Sequence, residues 1–491
     1  KLRDFTPGQY ISWQAREHGP AQTRKNLMVD HLAVPPNAPA DFWQKCAVPR
    51  RRRKDPPLHP DEEILKPELF KGDGSGGGNW TNSAQRVYRV VERLGREPSP
   101  VFLVLALNQV CRDPEAREDR NSTTLRVLDV LAKTFDESNE AHVAWTPKML
   151  AIMTMSLTKL FARGREATTI RHGIVRQVVE CADEFDGRGA ANVCWALGKC
   201  VSVFDVASSA PLFEALAPRI VDLLPEIVES KFAARDLSEI AWGVFKVGWR
   251  DRCRVLLPLS EASVEVLPRF ITQDLANLAQ ALASLDRSRD VERWFEEAWK
   301  RCPMRQLLEN GLEYELAGIA KYFAKHAPVD VATELVYLVG REVSHRLNMG
   351  APFLAQAVQE ASMLAYAIGT VITRGGSHLA KLGLDWTESA RGVLDLVDDV
   401  ALDPRNDRDV RPETYRLLAL GFGGAQVPSR FFETCDARRV ANAVVSKADL
   451  REMAIALNRL VVINFAGVDE LREACVRRAG FIIAEARANR S

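Results

Sequence analysis

Net charge is almost absent: 66 lysines and arginines stand against 65 aspartates and glutamates, leaving +1. No overall field draws such a chain to a polyanion, so any attraction of that kind must come from a local patch. Long apolar runs are missing as well. None approaches the roughly 18 residues of a membrane span, and no membrane contact is expected. The nine cysteines, Cys46, Cys111, Cys181, Cys194, Cys200, Cys253, Cys302, Cys435 and Cys475, form no Cys-x-x-Cys pair. Their odd number and scatter exclude zinc-type spacing and predict free, mostly buried thiols in a reducing compartment.

Recognisable catalytic chemistry is lacking too. The eight histidines are dispersed without ligand spacing, and GxxxxGK[ST], HExxH and GxSxG do not occur. The stretch 72–77 matches GxGxxG, but no strand precedes it and no βα unit surrounds it, so it reads as a linker. The pairs Asp398-Asp399 and Glu62-Glu63 read as solvated charge, and the sequons at Asn79 and Asn121 as chance matches. No catalytic residue, cofactor, metal or small-molecule substrate is expected.

What is present begins with an unusual first segment. Residues 1–78 carry ten prolines, from Pro7 to Pro67, and the basic run Arg50, Arg51, Arg52, Arg53 and Lys54. That proline density leaves no useful helical period. The segment reads as an extended basic arm suited to an anionic surface, ending in the Gly-rich hinge 72–78. The chain opens on Lys1 rather than methionine; a removed organelle-targeting peptide and a truncated start both fit.

From residue 79 onward the pattern is helical and repetitive. The block AANVCWALGKC at 190–200 returns as LSEIAWGVFKV at 237–247, LANLAQALASL at 275–285 and LREMAIALNRL at 450–460. Looser copies lie at 149–160 and 316–326. Taking Leu105, Met155, Trp195, Trp242, Gln280, Lys321, Tyr366, Leu418 and Ile455 as block centres gives intervals of 37 to 52 residues. Each interval has room for two helices and two loops, the unit of a helical solenoid. The residue after each centre is small in eight of nine blocks and the next is apolar in all nine; two residues before the centre, Arg416 is the one misfit. Small residues permit close helix approach and large apolar ones fill the seam. Asp236, Asp274 and Asp449 share one column and read as N-caps, with Ser99-Pro100 serving the first unit. Second helices are predicted at 125–135, 169–185, 212–228, 291–301, 331–347, 389–402, 430–445 and 470–488. The fold expected is all-α: a superhelical solenoid of about nine helical hairpins behind an N-terminal arm, with 449–491 capping it.

Four residues past each centre stands a column that is neither small nor apolar. It holds Lys159, Lys199, Lys246, Lys325 and Arg459 among its nine members. Cations there complement the negative helix end; they are also spaced to meet successive phosphates of a single strand. The following loops add Arg163, Arg165, Arg250, Arg252, Arg254, Arg287 and Arg289, whose guanidinium groups suit phosphates and bases. Trp195, Trp242 and Tyr366, in the centre column, read either as core or as a stacking platform.

The blocks at 191–199 and 274–285 resemble octotricopeptide-type repeats and the related repeats of FAST-kinase-like and RAP-domain proteins. That resemblance implies RNA binding in mitochondria or chloroplasts, in RNA maturation, translation or ribosome structure. The uneven spacing departs from the near-regular family pattern, and no RAP-like segment follows Leu460, so no base-reading residue is carried over. The leading expectation is a structural protein of a mitochondrial or plastid ribosome that contacts rRNA and neighbouring proteins. A free factor for a specific transcript and a protein scaffold without RNA contact are the alternatives.

Overall fold

The computed structural model describes residues 145–160, 165–199, 206–285, 289–348, 358–382, 384–403, 406, 410–446 and 448–488, with scattered positions between 104 and 135. The chain divides into two units, 1–67 and 68–491, and the described residues belong to the second. The basic run Arg50–Lys54, the hinge, Ser99-Pro100, Arg163 and Arg287 lie outside the described residues.

Among the described residues the structure is all-α, with no strand. Helices α1 (Pro147–Lys159), α3 (Gly187–Lys199), α5 (Ala233–Val247), α7 (Thr272–Leu282), α10 (Glu313–His326), α12 (Val358–Leu382), α14 (Pro412–Ala425) and α17 (Leu450–Val462) stack successively as one row. A second row packs behind it: α2 (Arg165–Glu180), α4 (Val206–Glu229), α6 (Cys253–Ser263), α8 (Arg289–Arg301), α9 (Met304–Asn310), α11 (Val329–Asn348), α13 (Leu384–Leu402), α15 (Arg430–Thr434), α16 (Ala437–Val445) and α18 (Val468–Ala488). Most hairpins contribute one helix to each row, with α8 and α9, and again α15 and α16, supplying two to the second; this makes the chain a helical-repeat solenoid.

The apolar columns account for this stacking. In α5, Leu237, Ile240, Ala241, Val244 and Val247 are buried, while Trp242 is half-buried and Lys246 exposed. Close approach is enforced at glycine. A Cβ on Gly243 would stand 3.0 Å from the Cα of Cys194 and closer still to that residue's carbonyl, so α3 and α5 touch backbone to backbone. Behind them Phe295 packs edge-on against Trp294 at 5.2 Å and Phe323 at 4.8 Å, tying α8 to α10.

Two expectations about helix ends divide. Asp449 caps α17, accepting from Glu452 N at 2.7 Å, and Glu452 returns the bond to Asp449 N at 3.3 Å. This reciprocal pair is a capping box. Asp236 and Asp274 are not N-caps; both are buried, Asp236 within α5 and Asp274 at the third residue of α7, where it accepts from the Ile271 amide at 3.3 Å. Arg188 bonds Asp236 and reaches Glu239 at 3.4 Å, Arg235 holds Glu239 at 2.8 Å, and Ser238 donates to Asp274 at 2.9 Å. The shared acidic column builds a polar ladder across α3, α5 and α7, because a buried carboxylate needs partners from its neighbours.

Burial pushes Asp274 up to about 6, against the pull of its bonds from Ser238 and the Ile271 amide. Between pH 3.8 and about 6 the folded chain keeps a proton that the unfolded chain has released. The associated stability is full below that window and is lost as pH rises through it. Replacing Asp274 by asparagine should remove this dependence. From pH 4 to 7.5 the difference in unfolding free energy should move in the variant's favour by roughly 2–3 kcal/mol, read by urea denaturation. A pH-independent difference would show Asp274 ionised throughout.

Helices α6 and α9 fall where no helix was expected, and the predicted helix 430–445 is two helices. There Asp436 turns the chain and caps α16 by accepting from Arg439 N at 2.7 Å.

Candidate nucleic-acid interface

The exposed side of the first row carries the centre column. Met155, Trp195, Trp242, Gln280, Lys321 and Tyr366 are all half-buried, flanked by buried residues. They line an inner face instead of filling the seam. The eighth unit is shifted: Leu418 and Phe422 are core, and Leu420 takes the inner position. Gly421 is the reason. A Cβ there would stand 2.8 Å from that of Ala365, so Gly421 is the small contact residue and the centre moves two places on. With that register Leu418 fills the column that Arg416 had broken, and Arg416 joins the inner face.

Four residues past the centres, Lys159, Lys199, Lys246, Lys325 and Arg459 lie in the last turns of α1, α3, α5, α10 and α17. Their charges complement those helix ends. Beyond that, the backbone contact between α3 and α5 sets aromatic and cationic side chains against each other. The Lys199 ammonium lies 5.4 Å from the Trp195 ring centroid and 4.9 Å from that of Trp242. Lys246 lies 5.5 Å from the same Trp242 and 5.4 Å from Phe245. These are cation–π distances.

Further along, Gln280 Nε2 donates to Tyr322 Oη at 2.7 Å, and Lys321 Nζ reaches Glu413 Oε1 at 3.4 Å. Arg416 pairs with Glu452 at 3.1 Å, and Arg459 donates to Thr373 Oγ1 at 3.1 Å. Burial lowers the Lys246 pKa, and the nearby Lys199 and Lys321 push the same way while Glu413 opposes them. Burial is the larger cause even though Lys246 is exposed overall, and the two neighbouring ammoniums add to it. Lys321 is lowered by burial too, opposed by Glu413 and reinforced by Lys325 and Arg416. The face is thus crowded with cations and sparing in acids.

Of the described arginines expected in loops, Arg250 and Arg252 lie in the turn between α5 and α6 and the others on helices. Arg165 and Arg289 begin α2 and α8, and Arg254 lies within α6. Arg252 donates to the Ser284 carbonyl at 2.8 Å and its hydroxyl at 3.3 Å, joining the start of α6 to the end of α7. Arg254 pairs with Glu214 at 2.9 Å, on the second row, beside Trp249. Arg250 is exposed in the turn between α5 and α6. These arginines sit apart from the inner lysine–tryptophan cluster, and two of them hold the fold together.

Lys321, Phe245 and Glu413 were not among the expected site residues. Lys321 stood in the centre column, where its charge was the available signal; Glu413 is 92 residues away and no periodicity links the two. Among the described residues no group of three or more His, Cys, Asp or Glu side chains is placed to hold a metal, and no helix is long and apolar enough to cross a membrane. The buried thiols of Cys194 and Cys302 are each pushed up to about 12 by burial.

Fold and face together define a helical-repeat solenoid with a basic, aromatic inner surface. No protein-family model matches the chain, and no curated protein matches it. Among solved structures it is similar to a circular tandem repeat protein with novel repeat topology and enhanced subunit contact surfaces. The identity is 15%, over 81% of this chain and 100% of that one, with a TM-score of 0.23.

Proposed function

We propose that this protein is a non-catalytic helical-repeat protein that contacts single-stranded RNA through its inner face. The observation that carries the proposal is the Lys199 ammonium lying against both Trp195 and Trp242, with Lys246 on the second ring. Aromatic faces that stack bases, interleaved with cations that meet phosphates, are the recurring chemistry of single-strand binding. The near-zero net charge fits contact confined to one face rather than binding over the whole surface.

The setting we propose is an organellar ribonucleoprotein, a mitochondrial or plastid ribosome, where the protein contacts rRNA and protein neighbours. The resemblance to organellar RNA-binding repeats and the basic run Arg50–Lys54 support it. The last two helices leave Leu450, Ile455, Val461 and Val462 on α17, with Val476, Phe481 and Ile483 on α18, exposed; these are apolar side chains that a protein neighbour would cover.

Binding of a single-stranded RNA oligomer, measured against salt, tests the proposal. Five phosphate contacts give log affinity against log salt a slope of about −3.5, and removing Lys199 and Lys246 together flattens it by about 1.4. A salt-insensitive affinity would refute RNA contact and leave a protein scaffold. Sedimentation of an organelle lysate separates the settings. Co-migration with ribosomal subunits through a high-salt wash, weakened by deleting residues 1–78, supports the ribosomal one; recovery only in light fractions points to a free factor.

A further inference from the structure

Lys199 and Lys246 come from neighbouring helices, yet both ammoniums lie against one indole, 4.9 and 5.5 Å from the Trp242 centroid. Lys321, from α10, belongs to the same group, since it and Glu413 both act on Lys246. The Lys321–Glu413 bond at 3.4 Å joins α10 to α14, passing over α12, which packs between them. One carboxylate therefore reaches across the inner face into a group of three ammoniums. Glu413 is half-exposed and stands in the first turn of its helix. It bonds Lys321, while Lys199 and Lys246 lie against ring faces.

We infer that Lys199, Lys246 and Lys321 form a subsite for one backbone phosphate of single-stranded RNA, with Trp242 as the surface for an adjoining base, and that Glu413 is an internal competitor for that place. This rests on the RNA reading above. Three ammoniums against one carboxylate leave positive charge uncompensated in a crowded face, and a phosphodiester brings the anionic oxygens that the carboxylate cannot extend to all three lysines. Burial is the first cause of the lowered pKa values of Lys246 and Lys321, and neighbouring cations add to it: Lys199 and Lys321 for Lys246, Lys325 and Arg416 for Lys321. Trp242 is half-buried, with the edge of its six-membered ring against Gly198 of α3.

The tests use the full chain, a single-stranded RNA oligomer and inorganic polyphosphate of matched charge. Glu413→Gln removes the competitor and should tighten RNA binding by about three- to tenfold. Lys321→Gln should weaken binding and flatten the salt slope by about 0.7. Trp242→Leu should weaken RNA binding while leaving polyphosphate affinity within twofold, because only the RNA has bases to stack. Circular dichroism and the thermal midpoint establish that each variant is folded. RNA binding by the native chain with no gain in Glu413→Gln overturns the competitor. Equal losses for RNA and polyphosphate in Trp242→Leu overturn the base surface. Native binding that ignores salt overturns the RNA reading itself, a result distinct from both.

Discussion

Gly243→Ala loses about 2–3 kcal/mol of stability, and Gly243→Val more, although alanine is the better helix former. The new Cβ would meet the carbonyl and Cα of Cys194 on the neighbouring helix, backbone atoms with no rotamer to yield. Helices α3 and α5 must then move apart along their length. Gly392, in α13, is the control: a Cβ there meets nothing within 4 Å, and its position is exposed. Gly392→Ala should therefore gain about 0.5–1 kcal/mol, through helix propensity and reduced freedom of the unfolded chain. Thermal and urea midpoints of the pair give opposite shifts. A Gly243→Ala variant as stable as the native chain would mean that these helices do not touch. The same substitution should weaken RNA binding, because the α3–α5 distance sets both lysines against Trp242.

The second large effect lies at Phe295. Its ring is fully buried, edge-on to Trp294 and Phe323 and stacked on His326 at 5.9 Å. Truncation to alanine removes the ring from the α8–α10 contact and leaves a cavity, at a cost of about 3–5 kcal/mol. Phe295→Leu refills part of that space, so its loss should be clearly smaller in the same urea measurement. Equal losses for the two would indicate that ring geometry, not volume, holds the hairpin together.

The hairpin pattern was legible because the fold requires two features that leave marks in sequence. Helices that touch at their backbones need small residues at the contact, as Ala196, Gly243 and Ala281 record. Helices that bury one side need apolar residues at helical spacing. Where a different residue could do the same work, the reading slipped. In α14 the small contact is Gly421 rather than Ala419, and only the packing against Ala365 reveals the two-residue shift. Helix α6 was missed because Pro258 and the arginines before it resemble a loop, although the proline is accommodated inside the helix. The acidic column was legible as a column but not as a role: Asp449 faces solvent at a helix start, whereas Asp274 is enclosed and bonded to Ser238 from the preceding repeat.

The site divides in the same way. Aromatic residues in the centre column and cations four places on are local, and a period exposes them. That the face is inner, that Lys199 and Lys246 share one ring, and that Arg252 and Arg254 are occupied elsewhere all depend on which helices stack together. The Glu413 carboxylate depends on how α10, α12 and α14 stack, since its partner Lys321 is 92 residues away.

The contacts that skip a helix have a mechanical meaning. Lys321–Glu413 passes over α12, and Arg459–Thr373 passes over α14. A solenoid behaves as a spring whose stiffness is summed over its layers. Both rows are joined by buried apolar side chains, while these two ties are polar and reached by water. Ionic strength and anions act on the ties and leave the apolar packing untouched. Raised salt should therefore loosen these links between next-nearest layers while the layers themselves stay packed.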